Sequence, residues 1–253
     1  MTLQRLELLA PAGFPRVSPG DALDEIVLAA LERDGLGLRN GDVIILAQKI
    51  VSKAEGRYVR LDEARVTAEA RALAARCDKD PRLVALILAE SERVVRCAPG
   101  VLIVRHRLGF VHANAGIDHS NIEDGDDQVL LLPEDPDASA ERLRQRIGQA
   151  NGADIGVLVI DSFGRPFRIG TCGVCIGAAG IAVIDDRRGQ PDLYGKSLEV
   201  TQVAVADELA AAASLLMGGA DESRPLVLAR GLSRGGQQVA RALLRPVDED
   251  LFL

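Results

Sequence analysis

Apolar residues follow two patterns along the chain, short continuous runs and longer periodic stretches. Two continuous runs, Val43–Ala47 and residues 154–160, are rich in Val, Leu and Ile over the length of a strand, which is typical of buried strands. The second run ends at Asp161. Residues 22–33, 138–147 and 198–217 instead place apolar side chains at helical spacing. The pattern therefore predicts helices that pack against buried strands.

Glycine and proline set the expected limits of several elements. Gly148 is expected to end the helix that starts at residue 138. Two further helices are predicted at 63–77 and 81–92, the second with Asp80 as its N-cap and a proline at its first position. Segment 170–180 contains four glycines, which predicts a bend or a close approach to a neighbouring element.

Val101–His106 and residues 110–113 flank a short turn and predict a β-hairpin. A hairpin introduces antiparallel pairing and disfavours an all-parallel doubly wound sheet. The chain also lacks the G-x-x-x-x-G-K-[ST] motif of P-loop nucleotide enzymes. The predicted fold is therefore α+β and non-P-loop, with mixed, largely antiparallel sheets and flanking helices. Residues 1–253 are expected to form a single domain, with 133–137 as a candidate subdomain boundary.

Composition narrows the classes of function. The chain has 253 residues, 47% hydrophobic and 26% charged, with a formal net charge of −7. These values are ordinary for a globular protein, and the negative charge disfavours nucleic-acid binding. The apolar runs are too short to span a membrane, and the N-terminus lacks the pattern of a signal peptide. We expect a cytoplasmic protein that binds neither nucleic acid nor membrane.

Two aspartates stand at the ends of apolar runs and are followed by polar side chains. Asp118 lies in Ala-Gly-Ile-Asp-His-Ser-Asn, and Asp161 directly precedes Ser162. Carboxylates in this position suit a hard cation such as Mg²⁺ or Mn²⁺, which takes oxygen ligands. Because the segments are distant in sequence, they are a candidate pair that only the fold can bring together.

Two basic segments are candidates for binding an anion. Residues 48–57 follow a predicted strand and contain Lys49 and Lys53, which suit phosphate oxygens. From these residues alone, a solvated, charged loop is the favoured interpretation. Arg165 follows Asp161 closely and suits a carboxylate or phosphate group. The alternative for Arg165 is an ion pair with Asp161 that only holds the loop.

The cysteines and histidines give weaker signals. Cys172 and Cys175 form a C-x-x-C motif, which occurs in redox and zinc sites. No second such motif exists, so two small residues in a glycine-rich strand are the favoured interpretation. A zinc site from His112 and His119 matches no familiar spacing.

Several segments together resemble the coenzyme F420-0:γ-glutamyl ligase family, and they occur in the family's order over nearly the whole chain. The passages that carry the resemblance are Gly13-Phe14-Pro15, Pro19-Gly20-Asp21, 48–57, 114–121, 131–140, 161–168, Asp192-Leu193-Tyr194-Gly195, Val205-Ala206-Asp207-Glu208 and 245–252.

The resemblance implies a GTP-dependent ligase that joins L-glutamate to coenzyme F420-0 through an acyl phosphate and adds further γ-linked glutamates in some members. It implies Mg²⁺ or Mn²⁺, with K⁺ as a further candidate, and an intertwined homodimer. Lys49, Lys53 and Arg165 are the expected catalytic cations. Asp118, Asp161 and Ser162 are the implied metal ligands, and the implied GTP contacts are Phe14, Pro15, Arg16, Val17, Gln48, Lys49, Lys53, Asn121, Met217 and Gly218.

The chain departs from the family pattern at Gly219, where a longer polar side chain that can reach a metal is usual. Two other functions stay open at this point. One is an amide ligase of the same scaffold with a different acid acceptor. The other is a metal- or redox-responsive binding protein that uses Cys172 and Cys175.

Overall fold

The computed structural model describes residues 4–119, 127–232 and 235–250. Within these residues the helices are α1 (Leu23–Arg33), α2 (Gln48–Ala54), α3 (Ala68–Cys77), α4 (Pro81–Ala89), α5 (Pro136–Asn151) and α6 (Val205–Met217). The strands are β1 (Glu7–Leu9), β2 (Val43–Ala47), β3 (Tyr58–Arg60), β4 (Ser91–Ala98), β5 (Val101–His106), β6 (Val111–Ala113), β7 (Gln128–Leu130), β8 (Gly156–Arg165), β9 (Arg168–Ala179), β10 (Asp185–Asp186), β11 (Gln202–Val203) and β12 (Leu226–Arg230).

The largest sheet has the strand order β1-β12-β2-β8-β9. β2 and β8 are parallel, with Val43 opposite Gly156 and Ala47 opposite Ile160, whereas the other neighbours in this sheet are antiparallel. A two-stranded pair β3-β7, a pair β10-β11 and a three-stranded sheet β4-β5-β6 complete the strands of the described residues. The predicted α+β class with largely antiparallel sheets is confirmed.

Helices cover both faces of the five-stranded sheet. On one face, apolar side chains of α1, α2 and α5 pack against Ile44, Leu46, Val157 and Val159. On the other face, α6 packs against Ile45, Leu158 and Ile160. This arrangement explains why β2 is a continuous apolar run, since side chains on both of its faces are buried.

The glycine-rich segment forms most of β9, the edge strand of this sheet. A Cβ atom at Gly173 would overlap the carbonyl oxygen of Ala210 in α6, and one at Gly177 would overlap that of Pro136 in α5. The close approach predicted from these glycines is confirmed. The outward N–H groups of β9 donate to side chains, Gly173 to Ser214 Oγ (3.3 Å), Cys175 to Asp207 Oδ1 (2.9 Å) and Ala178 to Asp137 Oδ1 (2.8 Å). Capping of this kind prevents the edge from pairing with another strand.

A smaller apolar core lies between α3, α4 and the sheet β4-β5-β6. It is tied to the rest of the chain through Glu90, whose Oε2 atom lies 3.1 Å from Arg107 Nε and 3.5 Å from Arg57 Nη2. Arg57 Nε donates to the carbonyl of Leu132 (2.9 Å). Burial alone would raise the pKa of Glu90, but His106 and the two arginines hold it below its ordinary value.

Several predicted element limits are wrong. The helix predicted at 81–92 ends at Ala89 and is followed by β4, a strand that the pattern does not predict. Asp80 caps the start of this helix as expected, because its side chain accepts from the N–H of Arg82 (2.7 Å). Helix α5 continues through Gly148 to Asn151, and the following Gly152 caps it with a left-handed φ of 77°. The helix predicted at 198–217 begins only at Val205.

Helix α5 begins with Pro136 inside the segment 133–137. The single domain and the boundary at this segment stay predictions. In the described residues, no helix has the length and apolar character that a membrane crossing requires.

Candidate active site

Polar segments from distant parts of the sequence meet at one edge of the five-stranded sheet. Helix α2 starts immediately after β2, whose last residue, Ala47, lies opposite Ile160 in β8. The N–H of Ala47 also donates to the carbonyl of Pro225 (2.9 Å), which brings the segment after α6 to the same place. Open α/β sheets bind ligands at the carboxyl ends of parallel strands, and these segments meet at the carboxyl end of β2.

The segment with the two lysines is a helix, so the predicted charged loop is wrong. Gln48 and Ser52 are buried and joined by a hydrogen bond of 2.9 Å from Ser52 Oγ to Gln48 Oε1. Lys49 and Lys53 are four residues apart and therefore lie on one face of α2. Both lysines are half-buried, so this face presents two cations at the edge of the sheet.

Lys49 forms an ion pair with Asp118, with 2.6 Å between Nζ and Oδ2. The Asp118 backbone is fixed by hydrogen bonds in both directions with Leu130 (3.0 Å each). Just upstream, Asn114 and Ala115 have left-handed φ angles of 52° and 53°, a conformation that non-glycine residues rarely adopt and that concentrates at functional sites. The fold therefore holds Asp118 in a defined position against α2.

Asp161 directly follows Ile160 at the same edge, and its side chain is 17% exposed. The prediction that the strand ends here is wrong, because β8 continues to Arg165 in a long hairpin with β9. Asp161 Oδ1 accepts from the N–H of Ser162 (2.8 Å), and Oδ2 lies 3.1 Å from His112 Nε2. Consecutive side chains of a strand point to opposite faces, so Ser162 points away from Asp161 and its role as a third metal ligand stays a prediction.

His112 lies beside Asp161, whereas the sequence suggested it only as a weak zinc candidate together with His119. It is one of four aromatic rings in a cluster, with His106 stacked on Phe110 (5.1 Å between centroids), Phe110 against Phe163 (5.3 Å) and Phe163 against His112 (4.0 Å). The only signal was the position of a polar histidine within the short strand β6, where His112 alternates with apolar neighbours. His119 is exposed, and the described residues contain no group of three or more His, Cys, Asp or Glu side chains placed to hold a metal.

The other predicted nucleotide contacts are distributed around this edge. Phe14 and Val17 are buried in the same apolar cluster as Ile50 and Val51 of α2, while Pro15 and Arg16 are exposed. The turn at Pro19-Gly20, which follows this segment, is fixed to α2 because the N–H of Gly20 donates to the carbonyl of Ala54 (2.9 Å). The structure thus places residues 14–17 beside the helix with the lysines.

Met217 and Gly218 end α6, and Gly218 has a left-handed φ of 76°. The carboxylate of Glu222 folds back over this turn and accepts from the N–H of Ala220 (2.8 Å). Gly219 has no neighbouring atom within 4 Å of the place that a Cβ would occupy, so the turn has open space at the position where the resemblance led us to expect a longer side chain.

Arg165 is not brought to this edge within the chain. It stands at the exposed end of the β8–β9 hairpin, four residues beyond Asp161 or about 13 Å along an extended strand. Its Nη2 atom lies 3.5 Å from the carbonyl of Ile169. Its catalytic role stays a prediction, and Asn121 lies outside the described residues.

The oxygen donors at this edge fit Mg²⁺ or Mn²⁺ rather than zinc. Such cations are commonly held by one or two carboxylates, with water and substrate phosphates as the remaining ligands, and Asp118 and Asp161 supply two partly exposed carboxylates. Zinc sites need three or four protein ligands.

The C-x-x-C motif lies along β9, where Cys172 is opposite Phe163 and Cys175 opposite Ile160. The two cysteines are three residues apart on the strand with no β-bulge between them, so their thiols lie on opposite faces of the sheet. Burial raises the pKa of the Cys175 thiol well above its ordinary value, which makes it a poor nucleophile and metal ligand. This geometry disfavours the metal- or redox-responsive binding protein.

Comparison with known proteins identifies relatives over nearly the whole chain. A sequence profile described as F420-0:Gamma-glutamyl ligase matches residues 13–231. Proteins named coenzyme F420:L-glutamate ligase are similar over most of their length. That from Methanothermobacter thermautotrophicus is 46% identical over 253 residues, 98% of both chains, and that from Methanopyrus kandleri is 47% identical over 242 residues, 94% of this chain and 93% of the relative. The relative from Archaeoglobus fulgidus is 41% identical, covering 98% of this chain and 96% of its own. The chain therefore belongs to the F420-0:γ-glutamyl ligase family.

Proposed function

We propose that this protein joins L-glutamate to coenzyme F420-0 in a reaction driven by GTP and a divalent cation. The observation that carries the proposal is the Lys49–Asp118 ion pair on α2, which starts directly after the end of β2 that pairs with Ile160, the residue before Asp161. Relatives that match nearly the whole chain are named coenzyme F420:L-glutamate ligase. Two carboxylates beside a lysine suit a metal-bound nucleoside triphosphate.

The reaction requires activation of a carboxylate, because oxide is a poor leaving group. A carboxylate oxygen of the acceptor attacks the γ-phosphorus of GTP, the bond to the β-phosphate oxygen breaks, and GDP leaves. The glutamate nitrogen, after losing a proton to solvent, attacks the acyl carbon and loses a second proton to solvent as the amide forms. The carbon–oxygen bond to phosphate then breaks, and phosphate departs with the electron pair.

The residues of the chain act mainly by position and charge. Asp118 and Asp161 would hold the cation, which when bound offsets the negative charge of the phosphate oxygens. Lys49 lies 2.6 Å from Asp118, so its ammonium group is held where the same phosphates would lie. Lys53 adds a second cation one helical turn away.

The proposed active form is a homodimer. Two hairpins protrude from the chain, one formed by β8 and β9 and the other by residues 187–201. In the second hairpin, Pro191 and Ser197 form an antiparallel β-bridge. Their apolar tips are at least 95% exposed, at Phe167, Ile169, Leu193 and Tyr194. Apolar side chains concentrated on protruding segments indicate a protein–protein contact, and a second copy would cover both tips through a symmetric interface.

The deciding experiment is mass spectrometry of F420-0 incubated with the protein, L-glutamate, GTP and Mn²⁺ or Mg²⁺. A product heavier by one or more glutamyl units, formed only with GTP and metal, supports the proposal. Asp118→Asn should abolish the product, because an amide is a weak metal ligand. Its thermal midpoint should stay nearly unchanged, since a partly exposed ion pair contributes only about 0–1 kcal/mol.

Asp62→Asn is the matched control, because Asp62 also forms an ion pair, with Arg60 (2.9 Å), but is far more exposed and lies outside this site. It should form product at the parental rate. No product from folded parental protein with either metal would contradict F420-0 as the acceptor. Product formation by Asp118→Asn at the parental rate would contradict its role as a metal ligand.

A further inference from the structure

His112 reaches the proposed metal site from a different sheet. It lies on β6 in the three-stranded sheet, whereas Asp161 lies on β8 in the five-stranded sheet. Its Nε2 atom is 3.1 Å from Asp161 Oδ2, and its side chain is only 10% exposed. An ionised carboxylate only accepts hydrogen bonds, so Nε2 carries the proton and donates it.

With this contact, each oxygen of the Asp161 carboxylate accepts one hydrogen bond. The N–H of Ser162 donates to Oδ1 (2.8 Å) and His112 to Oδ2 (3.1 Å). Each oxygen keeps a second lone pair that a cation can use. The two donors lie on different strands, so together they fix the rotation of the carboxylate without occupying all of its acceptor positions.

The imidazole ring is itself held in place. Phe163, two residues after Asp161 on the same face of β8, contacts it with 4.0 Å between ring centroids. Phe110 packs beside both rings, with its centroid 6.3 Å from that of His112 and 5.3 Å from that of Phe163. Because neighbouring rings fix the histidine side chain, the direction of its N–H group is fixed as well.

We propose that His112 is a positioning residue that orients the Asp161 carboxylate for the divalent cation. The proposal rests on the proposed function, since it takes Asp161 as a metal ligand. Partners that orient a ligand in this way typically change metal affinity by about 10–100-fold when they are removed. A histidine that only joined β6 to β8 would instead affect stability and leave metal affinity unchanged.

Two substitutions separate the N–H donor from the ring. His112→Phe keeps a ring that can contact Phe163 but removes the donor. His112→Gln removes the ring but places an amide N–H close to the position of Nε2. Mn²⁺ is titrated into each variant with saturating GDP, and free Mn²⁺ is measured by electron paramagnetic resonance, so that no turnover is required. Thermal midpoints identify any variant that is not folded.

We expect His112→Phe to weaken Mn²⁺ binding about 10-fold and His112→Gln to stay within about 3-fold of the parent, the glutamine donor offsetting most of the loss. Parental affinity in His112→Phe would overturn the proposal, as would equal weakening in both variants. Asp161→Asn tests the premise separately. If that variant binds Mn²⁺ as tightly as the parent, Asp161 is not a ligand, and the failure belongs to the proposed metal site rather than to the imidazole.

Discussion

His106 is a titratable side chain that the fold buries completely. Its Nδ1 atom accepts from the N–H of Leu108 (3.0 Å), and its Nε2 atom lies 3.6 Å from Glu90 Oε2, beyond hydrogen-bonding distance. Burial lowers the pKa of His106, and the nearby carboxylate only partly offsets this effect. The neutral imidazole is therefore the form that the folded chain prefers.

This environment makes the stability of the protein depend on pH. Because the pKa of His106 is lower in the folded than in the unfolded chain, the unfolded chain binds the proton more readily. The free energy of unfolding should be highest above the unfolded value of about 6.5 and fall as the pH drops below it. Urea unfolding at several pH values between 7.5 and 5 measures this slope.

His106→Asn keeps an acceptor for the N–H of Leu108 but does not titrate, so it should reduce the slope. The exposed His119 provides the control, and His119→Asn should keep the slope of the parent. A slope that survives His106→Asn unchanged would show that another group causes the acid sensitivity.

Residue type alone indicated part of the candidate site. Asp118, Asp161 and Lys49 stand next to apolar runs, and their chemistry suggested a metal and phosphate site before any geometry was known. His112 and Glu90 did not stand out, because their significance depends on partners 49 and 17 residues away. Such pairings are decided by tertiary contacts between distant segments, which local pattern does not encode.

At the scale of elements, the wrong predictions share a physical cause. The charged residues of 48–57 favour a solvated loop, although Ile50, Val51 and Ala54 have helical spacing and the first two bury one face of α2. Beyond Asp161, β8 contains polar residues and glycine but remains a strand because β9 pairs with it through Arg165. In both cases tertiary contacts outweighed local composition.

Gly173 allows α6 to lie directly on the edge strand. Replacing it with alanine would drive the new methyl group into the backbone of Ala210, which cannot move without shifting the helix. We expect Gly173→Ala to lower the free energy of unfolding by about 1–3 kcal/mol, the usual cost of overpacking. Chemical denaturation measures the change.

Gly164 is the matched control, because it lies in the same hairpin and no other atom lies within 4 Å of the place that its Cβ would occupy. Gly164→Ala should change stability by no more than about 0.5 kcal/mol. Equal effects of the two substitutions would mean that the loss of glycine flexibility, and not the contact with α6, sets the cost.

At the scale of the whole molecule, topology assembles what sequence order separates. Asp118 approaches α2 through its backbone pairing with Leu130, whereas Asp161 arrives through the parallel pairing of β8 with β2. The apolar runs predicted both central strands, but their adjacency follows only from the crossover of the chain between them. The carboxylates were therefore predictable individually, and their convergence was not.

The two protruding hairpins lead to the last prediction, which concerns the assembly. Phe167 is 96% exposed at the tip of the β8–β9 hairpin, a position that favours burial by a second copy. Phe167→Asp would place a charge in that contact, and we expect sedimentation velocity to show a shift from dimer to monomer at low micromolar protein. Val247→Asp changes another exposed apolar residue, outside both hairpins, and should leave the dimer intact. A parental protein that sediments as a monomer at every concentration, or a Phe167→Asp variant as dimeric as the parent, would refute this interface.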